Sequence, residues 1–189
     1  MNEKRRTMQD LAVAAMMLAL GYVLPFFTGN IPQIGSMLLP MHLPVLLCGL
    51  LCGWKYGLAV GFLLPLMRSL LIGTPPPFPT GIAMAFELAA YGSIAGSLYA
   101  RSRWQCVIAL YRCLIIAMIS GRIVWAAARM VMVGAANVPF TWEIFLSGAF
   151  LTAIPGIILQ LIAIPAIMVA LNRTGLVPFR KNRAEQAQL

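Results

Sequence analysis

Long apolar stretches alternate with short turn-rich or basic stretches along most of the chain. Crossing the hydrocarbon core of a bilayer, about 30 Å thick, takes roughly 20 mostly apolar residues in a helix. Six stretches approach or exceed this length. They run over Met8–Phe27, Met37–Gly53, Tyr56–Ile72, Gly81–Ala100, Val107–Val133 and Ile144–Leu171. The pattern predicts an all-α integral membrane protein with six transmembrane helices, in a single membrane domain over residues 1–189.

Composition supports this class. Hydrophobic residues make up 61% of the 189 positions and charged residues only 10%, whereas soluble domains are about half apolar and a quarter charged. A soluble fold is therefore excluded. The formal net charge is +9, which in a soluble protein would indicate a nucleic-acid partner, but membrane topology accounts for most of it and we expect none.

The basic residues predict the orientation. If the N-terminus is cytoplasmic, eleven of the 14 lysines and arginines fall at cytoplasmic ends of spans. These are Lys4, Arg5, Arg6, Lys55, Arg101, Arg103, Arg112, Arg173, Arg180, Lys181 and Arg183. The opposite connections, near residues 28–40, 73–80 and 134–143, contain no lysine or arginine. This positive-inside pattern predicts that both the N and C termini are cytoplasmic.

Small residues recur at helical spacing. Gly49, Gly53, Gly57 and Gly61 follow one another every four residues, and Gly92 and Gly96 repeat this spacing in the fourth span. Such spacing lets helix backbones approach closely in a bilayer, so we predict a tightly packed bundle. The first span carries its own small-residue stripe, Ala12, Ala15 and Ala19, which faces either its own bundle or another protein.

Four charged residues fall within predicted spans. Arg68, Glu87 and Arg129 lie toward the outer ends of their spans, and Arg122 lies deeper. A charge inside a bilayer costs about 2.5 to 3.5 kcal/mol even on a lenient scale, so each needs a partner, water or a ligand. Arg122, Trp125 and Arg129 share one helix face at i, i+3 and i+7.

Neighbouring aromatic and polar residues complete the candidate site. Tyr91 lies one turn beyond Glu87 and, with Trp125, offers a flat apolar wall with a polar edge. On the sixth span, Thr152, Gly156 and Gln160 form a small and polar stripe. His42, the single histidine, stands between two prolines and is expected at the membrane interface, with contact to the ligand as the alternative.

Two interpretations of the charged residues remain open. In one, Glu87 pairs with an arginine to join two helices, while Arg68 and Arg129 extend to lipid headgroups. In the other, three arginines against one carboxylate leave positive charge that an anionic ligand from outside balances, because arginine presents a planar fork to a carboxylate.

Sequence motifs of catalysis and metal binding are missing. There is no His-Glu-x-x-His helix, no Gly-x-Ser-x-Gly turn and no phosphate-binding glycine loop followed by Lys-Ser or Lys-Thr. Cys48 and Cys52 share a helix face, yet no histidine or carboxylate completes a metal-binding set, so we expect no metal site. If transport is driven by ATP, another subunit hydrolyses it.

Two motifs give the chain a resemblance to the substrate-binding S components of energy-coupling factor (ECF) vitamin transporters. The stretch from His42 through Gly49, Gly53 and Gly57 to Phe62 resembles the family's signature across the second and third spans, although many members have a proline where Trp54 stands. Ala15-Met-Met-Leu-Ala19 matches the family's Ala-x-x-x-Ala motif. The six-span layout extends the similarity along the chain.

This resemblance implies a binding subunit of the bacterial plasma membrane, with no enzymatic activity or cofactor of its own. Its partners would be a coupling membrane protein, contacted through Ala15 and Ala19, and two ATPase subunits. The substrate would be a vitamin or related micronutrient bound in the outer half. The arginines place pantothenate and folate ahead of thiamine.

Two other functions share the predicted topology. An uncoupled small-solute permease or flippase would transport without an ATPase module. A membrane-embedded enzyme acting on a lipid headgroup would use Glu87 and His42 as acid and base.

Overall fold

The computed structural model describes residues 3–27, 40–102, 106–135 and 154–174. Within these ranges the secondary structure is helical, without strands. The six helices are α1 (Glu3–Phe27), α2 (His42–Cys52), α3 (Trp54–Ile72), α4 (Ile82–Arg101), α5 (Val107–Ala135) and α6 (Ile154–Arg173). A single wide helical turn, Pro77–Gly81, leads into α4. The all-helical part of the prediction is confirmed.

Five of these helices, all except α2, are long and apolar enough to cross a membrane. The chain is therefore a multi-pass membrane protein. Helix α2 has 11 residues, which extend only about 16 Å along a helix axis. The predicted beginnings of two spans lie outside the described ranges. They are residues 37–39 for the second span and residues 144–153 for the sixth. Six spans and the orientation of the termini stay predictions.

Helix α4 lies at the centre of the bundle. It packs against α2, α3 and α5, while α1 packs against α2 and α3, and α6 packs against α2 and α5. Half of the α4 span is buried inside the protein, compared with 17% of the α1 span. Glu87, which lies on the buried side of α4, therefore meets other helices rather than lipid.

Glycines bring α2, α3 and α4 into backbone contact. A Cβ atom added to Gly49 or Gly57 would overlap the carbonyl oxygen of Gly92, and one added to Gly96 would lie 2.5 Å from the carbonyl oxygen of Gly49. This packing confirms the prediction from the glycine spacing. Gly53 has a different role, because its φ of 92° forms the one-residue turn between α2 and α3, a conformation that glycine adopts without strain.

The bundle has two distinct ends. Gly53 marks one, and the 73–81 connection between α3 and α4 marks the other, which we call the 73–81 end. The main apolar core lies toward the Gly53 end and draws on α2 from Leu46 onward, on α4 from Tyr91 onward, on the second half of α6 and on the first half of α5. Its members include Leu46, Leu50, Ala95, Tyr99, Leu110, Leu114, Ile164 and Met168. Helix α6 therefore begins toward the 73–81 end, as α2 does.

Candidate functional site

Glu87 forms the centre of a buried charged group. The residue is 1% exposed, and its Oε1 lies 3.2 Å from Nη1 of Arg122 on α5. The same oxygen lies 3.7 Å from Nε2 of His42, the first residue of α2. The pairing of Glu87 with one arginine is thus present, and together with His42 it links α2 and α5 to the central helix α4.

His42 is buried inside the bundle, and its place relative to the membrane interface stays a prediction. The side chain is 1% exposed, because Glu87 lies over its Nε2 and Tyr91 lies against its ring. The centroids of the His42 and Tyr91 rings are 5.2 Å apart in an edge-on arrangement. Gly121 allows this packing, since a Cβ there would lie 2.8 Å from the Tyr91 ring. Of the predicted site residues, Glu87, Tyr91 and Arg122 therefore come together, with His42 added.

Several buried polar atoms in this region have no hydrogen-bond partner among the described residues. They are His42 Nδ1 and Nε2, Glu87 Oε1, Arg122 Nε and Nη2, Gln160 Nε2 and Thr74 Oγ1. More than nine in ten buried polar groups in proteins are hydrogen-bonded, since leaving one unpaired costs about 1 to 3 kcal/mol. Unpaired groups concentrated on facing helices are typical of a binding site.

Arg129 occupies a separate position at the 73–81 end. Its Nη1 donates a hydrogen bond of 3.2 Å to Oγ1 of Thr80, and its guanidinium lies 5.3 Å from the centroid of the Trp125 ring. Arg122 and Arg129 both reach toward α4 and the turn before it, which confirms their predicted common face. Seven residues of helix place them about 10 Å apart along α5.

Arg68 lies on the side of α3 that faces α1. Its Nη1 donates to the carbonyl oxygen of Tyr22 at 3.2 Å, and its guanidinium stacks 5.4 Å from the Phe26 ring centroid. The residue is only 4% exposed. Extension of Arg68 to lipid headgroups, one of the two interpretations, is therefore wrong, because α1 covers it.

The small-residue stripe of α1 faces away from the other described helices. Ala15 and Ala19 are exposed, and Ala12 on the same face is exposed as well, whereas Ala14 is buried on the opposite face. Within the described part of the chain, the stripe therefore does not face its own bundle and is available to another molecule.

Two residues of the site are not among the substrate-binding residues predicted from the sequence. They are His42 and Gln160, and Gln160 is 2% exposed on α6. The position of Gln160 deep in an apolar helix was the available signal. In the part of the chain that the structure describes, no group of three His, Cys, Asp or Glu residues is arranged to hold a metal ion.

These features define an all-helical, multi-pass membrane protein with a buried polar site between its central helices. Comparison with known families gives a more specific answer. The model of the family described as the ECF transporter substrate-specific component matches residues 9–168, and the chain belongs to that family. It is thus a substrate-binding transport subunit rather than an enzyme, and its family implies a small-molecule substrate and ECF module partners. No curated protein and no solved structure matches the chain.

Proposed function

We propose that this subunit binds an anionic vitamin or related micronutrient outside a bacterial cell and delivers it across the plasma membrane, with pantothenate and folate as the first substrates to test. The proposal takes residues 1–189 as one membrane domain with six spans and cytoplasmic termini. In this orientation the 73–81 end faces outward, which agrees with the lack of lysine and arginine in residues 73–81.

The observation that carries the proposal is the charge balance around α5. Glu87 compensates Arg122. Among the described residues, the contacts of Arg129 are uncharged, with Thr80 and Trp125. A guanidinium in an apolar bundle gains most from a carboxylate or phosphate, which it holds through two parallel hydrogen bonds. An anion entering from the 73–81 end meets Arg129 first.

The proposed site extends inward from Arg129. Trp125 provides a flat wall along the way, Glu87 and Arg122 lie at the deep end, and the Tyr91 ring lies one turn farther inward on α4. Arg68 belongs to the same half of the protein, where its contact with Tyr22 and Phe26 fixes α1 beside α3 and its positive charge adds to the attraction for an anion.

The proposed partners follow from the family and from the exposed alanine stripe. Ala15 and Ala19 would contact the coupling membrane protein, because small side chains let a second helix approach closely within a bilayer. Two ATPase subunits would supply the energy. The chain itself would need no cofactor.

Reconstitution in vesicles tests this function. With the coupling protein and both ATPases of an ECF module, we expect ATP-dependent uptake of radiolabelled pantothenate or folate. Uptake of either compound without the module would favour an uncoupled permease. Failure of the chain to assemble with a module that accepts another S component would contradict the proposed role.

A binding titration tests the place of the site. Replacing Arg129 by alanine should weaken binding of pantothenate or folate by about tenfold or more, because a charge-assisted hydrogen bond contributes roughly 1.5 to 3 kcal/mol. The matched control is Arg101→Ala, at the exposed last turn of α4. Equal effects of the two substitutions would contradict the proposed pocket.

A further inference from the structure

Gln160 is a buried polar residue without an assigned role. It is 2% exposed, and its Nε2 has no hydrogen-bond partner among the described residues. One turn farther along α6, Ile164 joins the apolar core that includes Leu46, which lies one turn beyond His42 on α2. Because α2 and α6 pack together and both begin toward the 73–81 end, Gln160 lies at the level of His42 in the bundle.

One edge of the Arg122 guanidinium has a partner in Glu87, and the other edge has no hydrogen bond among the described residues. Its Nη1 faces Glu87 at 3.2 Å, while Nε and Nη2 are buried without hydrogen bonds in the described structure. These two nitrogens form one edge of the guanidinium and present parallel donors. Such an edge binds a pair of neighbouring acceptors, either the oxygens of a carboxylate or the oxygen and ring nitrogen of a heterocycle.

The charge of Glu87 distinguishes between these two acceptor pairs. Glu87 already neutralises the charge of Arg122. A second carboxylate, bound to Nε and Nη2 of Arg122, would therefore give two negative charges for one positive charge. Inside a bundle of low dielectric constant, that excess is unfavourable. An uncharged group avoids this excess. Its N–H group can also donate to Glu87 Oε1, which has an ionic contact with Arg122 but no hydrogen bond among the described residues.

We propose that His42, Glu87, Arg122 and Gln160 form a neutral recognition subsite, which binds an amide or nitrogen heterocycle at the inner end of the substrate, and that Gln160 contacts the substrate directly. This inference rests on the proposed function and specifies the chemistry at the deep end of the same site. Arg122 and Gln160 donate to the substrate's acceptors, and Glu87 accepts from its N–H.

The arrangement implies a substrate with two different ends. The neutral subsite lies about 10 Å inward from Arg129, by the rise of seven residues in α5. An anionic group at Arg129 and an amide or heterocycle near Arg122 would satisfy both ends at once. Pantothenate has an amide and a carboxylate, and folate has a pterin ring and carboxylates. A linear dicarboxylate such as pimelate has the two charges without the neutral group.

Replacing Gln160 by leucine tests the subsite with and without a ligand. In extensively dialysed, purified protein, Gln160→Leu should raise the melting temperature by roughly 2–4 °C, because it removes an unpaired polar group from the interior. The same variant should bind whichever of pantothenate and folate the wild type binds about tenfold less tightly. Pimelate should not raise the melting temperature of either protein.

Ser93→Ala is the matched control, since the Ser93 hydroxyl already donates to the carbonyl oxygen of Ala90 at 3.2 Å. It should not raise the melting temperature or weaken binding. A lower melting temperature of Gln160→Leu without ligand would show a structural role and overturn the inference, as would unchanged ligand affinity in Gln160→Leu or binding of pimelate. If the wild type binds neither vitamin, the proposed function loses support. The melting temperatures of Gln160→Leu and wild type without ligand then decide whether Gln160 is unpaired.

Discussion

Glu87 and Arg122 depend on each other at the scale of single residues. Both are buried, at 1% and 8% exposure, and their charged atoms are 3.2 Å apart. Burying a single charge is costly, whereas a buried pair is compensated and replacing both members by uncharged residues is often tolerated. The pair therefore fixes α4 against α5 only as long as both charges are present.

A double-mutant cycle measures this dependence. We expect Glu87→Gln alone and Arg122→Met alone each to reduce stability by about 3 to 5 kcal/mol, because each leaves one buried charge unpaired. The double variant should lose clearly less than the sum. Thermal unfolding of the four proteins in one detergent gives the coupling, and strictly additive losses would contradict a direct interaction between the two side chains.

Residue types and helix period were sufficient to predict part of the site. They identified Arg122, Trp125 and Arg129 as one face of α5, and that face does meet α4. The burial of His42 could not be predicted, because it depends on how α2 is positioned against α4, and no periodicity within α2 contains that information. The contact of Arg68 with α1 was missed for the same reason: the partner is a backbone carbonyl 46 residues away.

At the scale of helices, close backbone contact holds α2, α3 and α4 together. Gly92 lies against both Gly49 and Gly57, so three helices meet at one point without a side chain between them. Since lipid supplies no hydrophobic drive between helices, this contact contributes through van der Waals packing. The periodicity of four residues predicted the contact, but it could not separate Gly53, which forms a turn, from its packed neighbours.

Gly92→Ala should disrupt this contact. The added methyl group would overlap the carbonyl oxygen of Gly57, and neither backbone can move aside without separating α3 from α4. We expect a loss of about 1 to 3 kcal/mol, typical of overpacking. Gly21→Ala is the control, because its methyl group would meet only the end of the flexible Leu64 side chain. Thermal unfolding should rank Gly92→Ala as the more damaging change, and the reverse order would contradict the role of Gly92.

At the scale of the whole molecule, the sequence predicts an orientation that the helices themselves do not reveal. The two ends of the bundle differ in charge: Lys55 and Arg101 lie near the Gly53 end, and Arg173 ends α6 there, while residues 73–81 carry no charge. Positive charge is retained on the cytoplasmic side during insertion. The 73–81 end would then open to the outside, where the proposed substrate arrives.

Cysteine labelling in intact cells tests this orientation. Phe78 and Thr174 are both exposed, the first in the 73–81 connection and the second just after α6. A cysteine in place of Phe78 should react with a membrane-impermeant maleimide in whole cells, whereas one in place of Thr174 should react only after permeabilisation. Both variants are made in a protein whose four native cysteines are replaced by alanine, and labelling of that cysteine-free protein gives the background. Labelling of Thr174→Cys in whole cells would show the opposite orientation.

Assembly with the transport module gives the last prediction, which concerns the outer face of α1. Because Ala15 and Ala19 are exposed together, replacing both by leucine should prevent close approach of a partner helix and reduce copurification of the coupling protein and ATPases by tenfold or more, equivalent to about 1.4 kcal/mol. Binding of the vitamin by the isolated subunit should be unaffected, since this face lies outside the proposed pocket. Ala166→Leu, at an exposed position of α6, is the control and should assemble normally. Normal assembly of the α1 variant would place the coupling surface on another helix, while equal loss with Ala166→Leu would indicate that added bulk anywhere on the lipid-facing surface interferes.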